Sequence, residues 1–219
     1  MIQLTPELAE EIGWHIGDGS MNYYASRDGK SKGLYQLRGH IEDDKPHYIE
    51  RIKPIFDKIY CVKIRLREMP STRVFGFQIW NNEIIKFKQQ LGLPLGKKFE
   101  LEIPKQFLDK KELLVSCIRG IFDTDGGLYL EKKNHKLYPR VYIGTISLKL
   151  AEQLTVLLNS LDLRATKWAD NNPKGNRMVS YRIEIRGIEM LHKFFKEIEP
   201  KNPKHIAKYN RFLASLPKT

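Results

Sequence analysis

The sequence contains no long hydrophobic run and very few cysteines. No apolar stretch approaches the roughly 20 residues of a membrane-spanning helix, and no leader with a charged start and an apolar middle opens the chain. Its two cysteines, Cys61 and Cys117, form neither a CxxC motif nor a Cys/His pattern typical of zinc sites. We therefore predict a soluble protein of a reducing intracellular compartment, the cytoplasm or an organelle matrix, in which both cysteines are buried.

Acidic residues are fewer than basic ones. The 219-residue chain has 38 Lys and Arg against 26 Asp and Glu, which gives a net charge of +12. The basic residues are interleaved with aromatic and branched residues rather than gathered in a tail, so the charge belongs to a folded surface. This balance predicts a polyanionic partner. The length suffices for one large domain or two small ones that share a core.

Two ten-residue segments share a pattern of small and acidic residues. Residues 11–20 read Glu-Ile-Gly-Trp-His-Ile-Gly-Asp-Gly-Ser, and residues 118–127 read Ile-Arg-Gly-Ile-Phe-Asp-Thr-Asp-Gly-Gly. Their alignment places Asp125 107 positions after Asp18. Each segment is predicted to end a helix, with Gly19 or Gly126 in the left-handed conformation that stops helices. Asp-Gly alone is common turn chemistry, but two matched copies argue for a functional pair.

A stripe of small residues runs along each predicted helix, at spacings of four. The stripes are Ala9, Gly13 and Gly17 in the first helix, and Ser116, Gly120 and Thr124 in the second. A glycine inside a helix costs about 1 kcal/mol relative to alanine, so its recurrence indicates close packing. We predict that the two helices pack backbone against backbone, which brings Asp18 and Asp125 together.

Two carboxylates at two helix C-termini would make a strongly negative site. The last carbonyls of a helix lack intrahelical donors, and the helix dipole adds negative charge there. Carboxylate and carbonyl oxygens are the ligands that Mg²⁺ takes in proteins. We therefore predict that Asp18 and Asp125, with Gly17 and Thr124 beside them, bind two or more divalent ions shared between the helices. His15 and Asp123, within the same segments, are interpreted as structural.

Both segments resemble the signature helix of the LAGLIDADG homing endonucleases, in the single-chain form that carries two copies. The resemblance covers nearly the whole chain. It implies site-specific cleavage of double-stranded DNA, hydrolysis of phosphodiester bonds by metal-ion catalysis, and binding of the catalytic metal by the penultimate acidic residue of each motif. Those residues are Asp18 and Asp125.

The resemblance also implies a basic helper in each repeat, a lysine beyond its third helix that polarises the phosphate or orients water. Lys98 takes that place in the first repeat, with Lys97 as an open alternative, and Lys204 takes it in the second. The family often has a glutamine at the end of the second strand. Glu42 and Thr145 fall near those positions, so the group that positions water stays open.

The predicted elements occur in the same order twice. The first signature helix is followed by strands at 20–26 and 33–41, a helix at about 44–59 that Pro54 interrupts, strands at 61–68 and 73–80, and a helix at about 82–91. The second, with Asp109 and Glu112 as its predicted N-cap pair, is followed by strands near 127–133 and 139–145, a helix at about 148–161, strands near 164–169 and 178–186, and a helix at about 188–198. A last helix at about 203–215 is assigned a packing role.

This order predicts an α+β fold of two pseudo-symmetric αββαββα repeats. The first repeat is expected at residues 1–98, with a linker to about 108, and the second at 109–219 with the closing helix. The two antiparallel sheets would flank the packed helices and form a DNA-binding saddle, meaning a concave surface made of both outward sheet faces. Such β-ribbons fit the major groove of DNA.

Residues on the outward sheet faces and on the loop at 27–32 are predicted to contact DNA. In the first repeat these are Lys30, Lys32, Gln36, Arg38, His40, Lys63, Arg65, Arg67 and Gln78. In the second they are Tyr129, Glu131, Lys133, Arg140, Tyr142, Lys167, Arg182 and Glu184. Because the repeats differ at these positions, the target is expected to be long and asymmetric, or pseudo-symmetric at most.

Two other functions fit the same surface. An intron RNA maturase would use the basic saddle without needing both acids, and a non-catalytic DNA-binding regulator would be expected to carry an additional helix-turn-helix domain. Retention of Asp18 and Asp125 favours the endonuclease. An intein would need a splicing nucleophile first and an asparagine last, so we expect a free-standing monomer without an obligate protein partner.

Overall fold

Two helices cross at the centre of the fold, α1 (Pro6–Gly17) and α5 (Lys111–Asp125). The structure is a computed structural model that describes residues 3–25, 29–133, 136–170 and 178–216, with only the backbone of Lys136. Part of the predicted loop at 27–32, Arg27 and Asp28, lies outside the described residues. In that described part, no helix is long and apolar enough to cross a membrane.

The crossing of α1 and α5 is a contact between main chains. A Cβ atom added to Gly13 would lie 2.2 Å from the carbonyl oxygen of Cys117 and 2.8 Å from the Cα of Gly120. One added to Gly120 would lie 2.1 Å from the carbonyl oxygen of Glu10. These distances leave no room for a side chain at either position. The predicted packing of backbone against backbone is confirmed.

The glycines that follow the two helices serve a different purpose from the one predicted. Neither Gly19 nor Gly126 is left-handed: Gly126 is extended, with φ −95° and ψ 173°, and Asp18 ends α1 in a right-handed conformation. A Cβ at Gly19 would lie 2.6 Å from the Cα of His15, and one at Gly126 would lie 2.2 Å from Cδ2 of Phe122. The chain needs glycine there because the strand folds back tightly over the last helical turn.

The two helix N-termini also differ. Thr5 caps α1 by accepting a hydrogen bond at 3.2 Å from the amide of Leu8, and Pro6 takes the first helical position. The predicted cap of α5 by Asp109 and Glu112 is wrong, because the residue that precedes this helix is Lys110, whose side chain makes no cap hydrogen bond. Asp109 therefore lies one position too early to cap it.

Two antiparallel sheets have the same strand order. The first contains β1 (Gly19–Ala25), β2 (Ser31–His40), β3 (Arg67–Met69) and β4 (Val74–Trp80) in the order β1-β2-β4-β3. The second contains β5 (Gly126–Lys133), β6 (Lys136–Thr145), β7 (Thr166–Asp170) and β8 (Ser180–Arg186) in the order β5-β6-β8-β7. This match confirms the α+β fold of two pseudo-symmetric repeats.

The remaining helices pack on the apolar side of the sheets. They are α2 (Lys45–His47), α3 (Lys53–Tyr60), α4 (Asn82–Gln90), α6 (Leu148–Ser160), α7 (Ile188–Ile198) and α8 (Pro203–Ala214). A π-helical turn, Tyr48–Ile52, joins α2 to α3 just before Pro54. Proline lacks the N–H for an ordinary helical bond, and its ring collides with the carbonyl four residues earlier. The wider π turn accommodates Pro54 within an otherwise continuous helix.

The predicted strand at 61–68 is largely wrong, because only Arg67–Met69 pairs with a neighbouring strand. The main chain of Ile64 is bonded instead to side chains of α3. Its amide donates to Asp57 Oδ1 at 2.7 Å, and its carbonyl accepts from Lys53 Nζ at 2.9 Å. The alternation of exposure survives without the ladder, since Ile64 is buried while Lys63 and Arg65 are exposed.

The two cysteines differ in burial. Cys117 lies in the core under the helix crossing, as predicted. Cys61 is exposed, which corrects the expectation that both are buried. It ends α3 in a left-handed conformation with φ 51°, so its side chain points away from the core.

Candidate active site

The C-terminal ends of α1 and α5 meet where each helix leads into the first strand of its sheet. A Cβ added to Gly17 would lie 2.0 Å from Thr124 Oγ1 and 3.4 Å from the carboxyl carbon of Asp125. Asp18 follows Gly17 directly, so the two motif acids come together, as the small-residue stripes predicted. Thr124 is fixed there because its hydroxyl donates to the carbonyl oxygen of Gly120 at 3.0 Å.

Both acids are held in surroundings that disfavour their charged forms. Burial, the charge of Asp125 and the charge of Asp44 raise the pKa of Asp18 to about 7. Asp125 is exposed at the helix end, yet the surrounding walls of the cleft remove much of its hydration. That loss of hydration raises its pKa to about 6, against the opposing attraction of Lys98 and Lys204.

The oxygen atoms at these helix ends fit a hard divalent cation. The two carboxylates, and carbonyl oxygens at the ends of the helices, are oxygen donors of the type that Mg²⁺ and Ca²⁺ take. A cation between Asp18 and Asp125 would offset the mutual repulsion that raises the pKa of Asp18. Among the described residues, no group of three or more His, Cys, Asp and Glu side chains is placed so that it could hold a metal ion.

Lys98 binds the end of α1. Its ammonium donates to the carbonyl oxygens of His15 at 2.8 Å, Ile16 at 3.1 Å and Gly17 at 2.6 Å. Burial lowers the pKa of Lys98 to about 8, although Asp125 and Asp18 act against that shift. The ammonium of Lys97, the alternative candidate, lies instead over the ring of Phe99. Of the two candidates, Lys98 is the one at the site.

Lys204 lies at the site as well but has a different partner. Its ammonium is 2.6 Å from Asp44 Oδ1. Asp44 is buried and also accepts hydrogen bonds from the amide of His40 and from Asn202 Nδ2, both at 2.8 Å. Asp44 was not among the residues predicted for the site. Its position was a signal, because it is an acidic residue at the predicted start of a helix, shortly after a strand. Its equivalent before α6 is the neutral Ser147.

Each motif acid opens into a cleft whose lysine comes from the other repeat. Half-site 1 is lined by Asp18, Arg38, His40, Asp44, Thr124 and Lys204. Half-site 2 is lined by Gly17, Lys98, Asp125, Tyr142 and Thr145, among others. Thr145 therefore lies at a half-site, whereas Glu42 is exposed and 4.0 Å from Arg73.

The other residues of the motifs are structural, as interpreted. The carboxylate of Asp123 is buried and accepts two hydrogen bonds from the amide of Lys201, at 3.0 and 3.2 Å. His15 is buried and stacks on Tyr35 with 5.5 Å between ring centroids. Both residues tie the crossing helices to the elements around them.

The first sheet presents a polar outward face. Gln36, Arg38 and His40 are half-buried and alternate with buried Tyr35 and Leu37. Exposed Gln78 and Arg67 complete this face with Lys63 and Arg65 beside it. Lys32 was predicted in the loop, but it pairs with Tyr24 inside the ladder of β1 and β2, so it is a strand residue. Lys30 lies before the strand and is exposed.

The second sheet presents Arg140, Tyr142, Arg182 and Glu184 on its outward face, alternating with buried Val141, Ile143, Ile183 and Ile185. Tyr129, Glu131 and Lys133 continue it on β5, where Glu131 forms an ion pair with Arg140. The outward placement of Lys167 is wrong. Lys167 pairs in the ladder with buried Ile183 and forms an ion pair at 2.7 Å with Glu152 of α6, behind the sheet.

Trp168 and Arg186 occupy outward positions that sequence reasoning missed. Trp168 lies opposite Arg182 in the ladder, and the guanidinium of Arg186 stacks 5.0 Å from the Trp168 ring. The alternation of Arg182 and Glu184 continues to Arg186 and could have identified it. To identify Trp168, the register of β7 would have to be known. That register is shifted by one residue from the predicted alignment, which had Lys167 facing outward.

Comparison with known proteins finds a family model that matches part of the second repeat. Residues 112–199 match the model of the LAGLIDADG-like domain. Over 193 residues, 88% of this chain, the sequence is 28% identical to the replication factor C small subunit of Methanocaldococcus jannaschii, of which it covers 9%. Over 119 residues it is 29% identical to the replicative DNA helicase DnaB of Rhodothermus marinus, of which it covers 12%. The chain thus spans a small part of the curated relatives it matches.

Solved structures share the fold. The homing endonuclease I-DmoI, in complex with DNA and Ca, superposes with a TM-score of 0.65 at 16% identity, over 94% of this chain and 97% of that one. The LAGLIDADG homing endonuclease I-LtrWI, bound to target DNA, gives 0.55 at 14% identity, over 95% and 89%. At these identities the likeness concerns the fold.

Proposed function

We propose that this chain is a LAGLIDADG protein of the two-repeat form and that it is a site-specific DNA endonuclease. It acts as a monomer on a long, asymmetric double-stranded target and hydrolyses one phosphodiester bond in each strand with the aid of Mg²⁺. The observation that carries the proposal is the meeting of Asp18 and Asp125 at the end of two crossed helices, below two polar sheet faces.

The shape and charge of the saddle support DNA as the partner. Sheet ribbons of this width enter a major groove, where arginine reads guanine through two hydrogen bonds and glutamine reads adenine. Arg38 and Gln78 of the first sheet lie 3.1 Å apart, and Arg182 of the second sheet stacks over Tyr142. The net charge of +12 favours a phosphate backbone over neutral ligands.

The residues of the two half-sites support hydrolysis of a phosphodiester bond. Asp18 and Asp125, with the carbonyl group of Thr124 beside them, would hold the divalent ions, whereas the carbonyl oxygen of Gly17 already accepts a hydrogen bond from Lys98 at 2.6 Å. Divalent ions bound there would neutralise charge at the phosphate and activate a water molecule. Lys98 and Lys204 add fixed positive charge close to the two acids. Both lysines act to lower the pKa of Asp125, and Asp125 and Asp18 act to raise the pKa of Lys98. The maturase alternative is not favoured, since RNA binding alone would not need two acids in this arrangement.

The test uses a target obtained by affinity selection from a library of randomised duplexes and cloned into a plasmid. With Mg²⁺, the protein is expected to linearise this plasmid, whereas Asp18→Asn and Asp125→Asn bind the target and leave it unlinearised. Glu152→Gln, which changes one carboxylate behind the sheet, serves as the control and should cut normally. Full linearisation by either asparagine variant, or selective binding of RNA in place of DNA, would contradict the proposal.

A further inference from the structure

We propose that Glu184 is a positioning residue that fixes the arginines of the second sheet to read guanine, so that the second repeat discriminates DNA sequence more sharply than the first. The inference rests on the proposed function and assigns an uneven share of recognition to the two sheets. It concerns base-edge recognition rather than phosphate binding.

Glu184 lies at the middle of a lattice of basic and aromatic side chains. In the ladders it stands opposite Tyr142 on β6 and Thr166 on β7. Its Oε2 accepts from Arg186 Nη2 at 2.7 Å and Nε at 2.9 Å, and it lies 3.6 Å from Arg140 Nη1. Its Oε1 is 3.9 Å from Arg182 Nη1. One carboxylate, 7% exposed, therefore contacts three guanidinium groups.

Aromatic rings also contact two of these arginines. Arg182 stacks over Tyr142 at 4.9 Å, and Arg186 stacks over Trp168 at 5.0 Å. Arg186 donates to Glu184 through Nε–H and one N–H of Nη2. The two outermost N–H groups, one on Nη1 and one on Nη2, are left to bind a ligand. That end-on pair of donors matches O6 and N7 of guanine.

Fixing the arginines before DNA arrives favours discrimination. Three like charges on one sheet face would otherwise repel one another and occupy many rotamers. A side chain that is already ordered loses less entropy on binding, and it cannot turn to satisfy a wrong base. The arginine donors that face the groove are therefore set in direction by Glu184 rather than by the DNA.

The first sheet lacks this arrangement at the equivalent position. Gln78 on β4 stands opposite Gln36, as Glu184 stands opposite Tyr142. Arg38 donates a hydrogen bond to the neutral side chain of Gln78, at 3.1 Å. Within the described part of the chain, no carboxylate lies within 4.0 Å of Arg65, on the segment beside that sheet. Among the described residues, no carboxylate holds Arg38 or Arg65 in place, so both can adapt to different bases or to phosphates.

The test is affinity selection of randomised duplexes with the wild-type chain, Glu184→Gln and Glu152→Gln, followed by binding of single-base variants of the selected site at two salt concentrations. Arg38→Ala and Arg182→Ala mark which half of the site belongs to which sheet. The wild type should select guanines in the Arg182 half. Glu184→Gln should lose about tenfold in preference at two or three adjacent positions of that half only. Its affinity for unrelated DNA should stay equal or rise, and Glu152→Gln should match the wild type.

Several outcomes would overturn the inference. A uniform loss of affinity with a changed salt slope would make these arginines phosphate contacts. Relaxation in both halves, or no change, would deny Glu184 its role while leaving the endonuclease intact. If Glu184→Gln fails to fold, Arg186→Lys decides instead, because it keeps the charge, loses the fork of donors, and should lose the same guanine preference. If the wild type selects no DNA, the proposed function fails and this inference falls with it.

Discussion

Lys204 lies 2.6 Å from Asp44, whereas Lys98, its counterpart in the other repeat, donates to three carbonyl groups at the end of α1. The two half-sites thus hold their lysines by different means. An ion pair fixes one lysine, and a helix C-terminus fixes the other. In the proposed complex, the two strands of a duplex would therefore meet chemically different surroundings.

We expect Asp44→Asn to slow cleavage of one strand selectively. Without the carboxylate, Lys204 loses its fixed position, and misplacement of such a group by about 1 Å can cost a factor of ten to a hundred. The strand that enters half-site 1 should be nicked at least tenfold more slowly, and the other strand at the wild-type rate. The measurement follows nicking of a duplex labelled on each strand in turn. Equal slowing of both strands would show that Asp44 acts through the fold as a whole.

The raised pKa of Asp18 predicts a pH-dependent stability. Its folded value of about 7 exceeds its ordinary value of 3.8, so the folded protein binds more protons than the unfolded chain between these values. This contribution to stability is full below pH 4 and is lost as the pH rises through 7. Without divalent ions, Asp18→Asn should therefore melt above the wild type at pH 8, and the difference should shrink toward pH 5.

Mg²⁺ provides the second part of that measurement. An ion that binds the folded state raises the melting temperature of the wild type at pH 8, because it offsets the repulsion between the two carboxylates. The same addition should raise the melting temperature of Asp18→Asn much less. A wild type that does not respond to Mg²⁺ or Mn²⁺ in this assay would argue against a metal site between the helices.

Gly120→Ala should destabilise the protein through the helix crossing. Its added Cβ would lie 2.1 Å from the carbonyl oxygen of Glu10, which is main chain and cannot rotate away. Overpacking of this kind costs about 1–3 kcal/mol or more. Gly144→Ala is the matched control, since its Cβ would meet its nearest atom at 3.9 Å. Denaturant unfolding of both variants gives the comparison, and equal stabilities would refute the close crossing.

Lys88→Met should be the more damaging of two lysine substitutions on α4. Lys88 lies 2.7 Å from Glu11, and neither side chain is exposed to solvent. Loss of the ammonium leaves a buried carboxylate with only the hydroxyls of Tyr35 and Tyr60, at a cost of about 3–5 kcal/mol. Lys86→Met, whose ion pair with Glu83 is exposed, should change the free energy of unfolding by about 0.5 kcal/mol or less. Similar losses for both would mean that the buried pair does not contribute as proposed.

The sequence predicted the features that repeat and missed those that depend on a single contact. The crossing of Gly13 and Gly120 followed from a periodic stripe, and so did the convergence of Asp18 and Asp125. Alternating polarity located most outward strand positions for the same reason, because the period of a strand is set by its own backbone. These patterns are local and occur in both repeats, so an assignment made in one repeat can be checked against the other.

Three misses have non-local causes. Val62–Leu66 forms no ladder because side chains of α3 take the main-chain bonds of Ile64. Lys167 faces α6 because the register of β7 is set by its pairing with β8, and a shift of one residue moves every side chain to the other face. Asp44 became visible only once Lys204, 160 positions later, was placed beside it.

The close approach of Gly13 to Gly120 sets, by main-chain contact, the separation of the two helices that carry Asp18 and Asp125. The atoms nearest to this contact belong to the two helices themselves and not to the sheets. The sheet faces proposed to recognise DNA can therefore change their side chains, in evolution or by design, without a change in the helix crossing that carries the proposed catalytic acids. In such a scaffold, the residues proposed to determine sequence specificity are separate from those proposed to catalyse hydrolysis, so specificity can change while the catalytic geometry is kept.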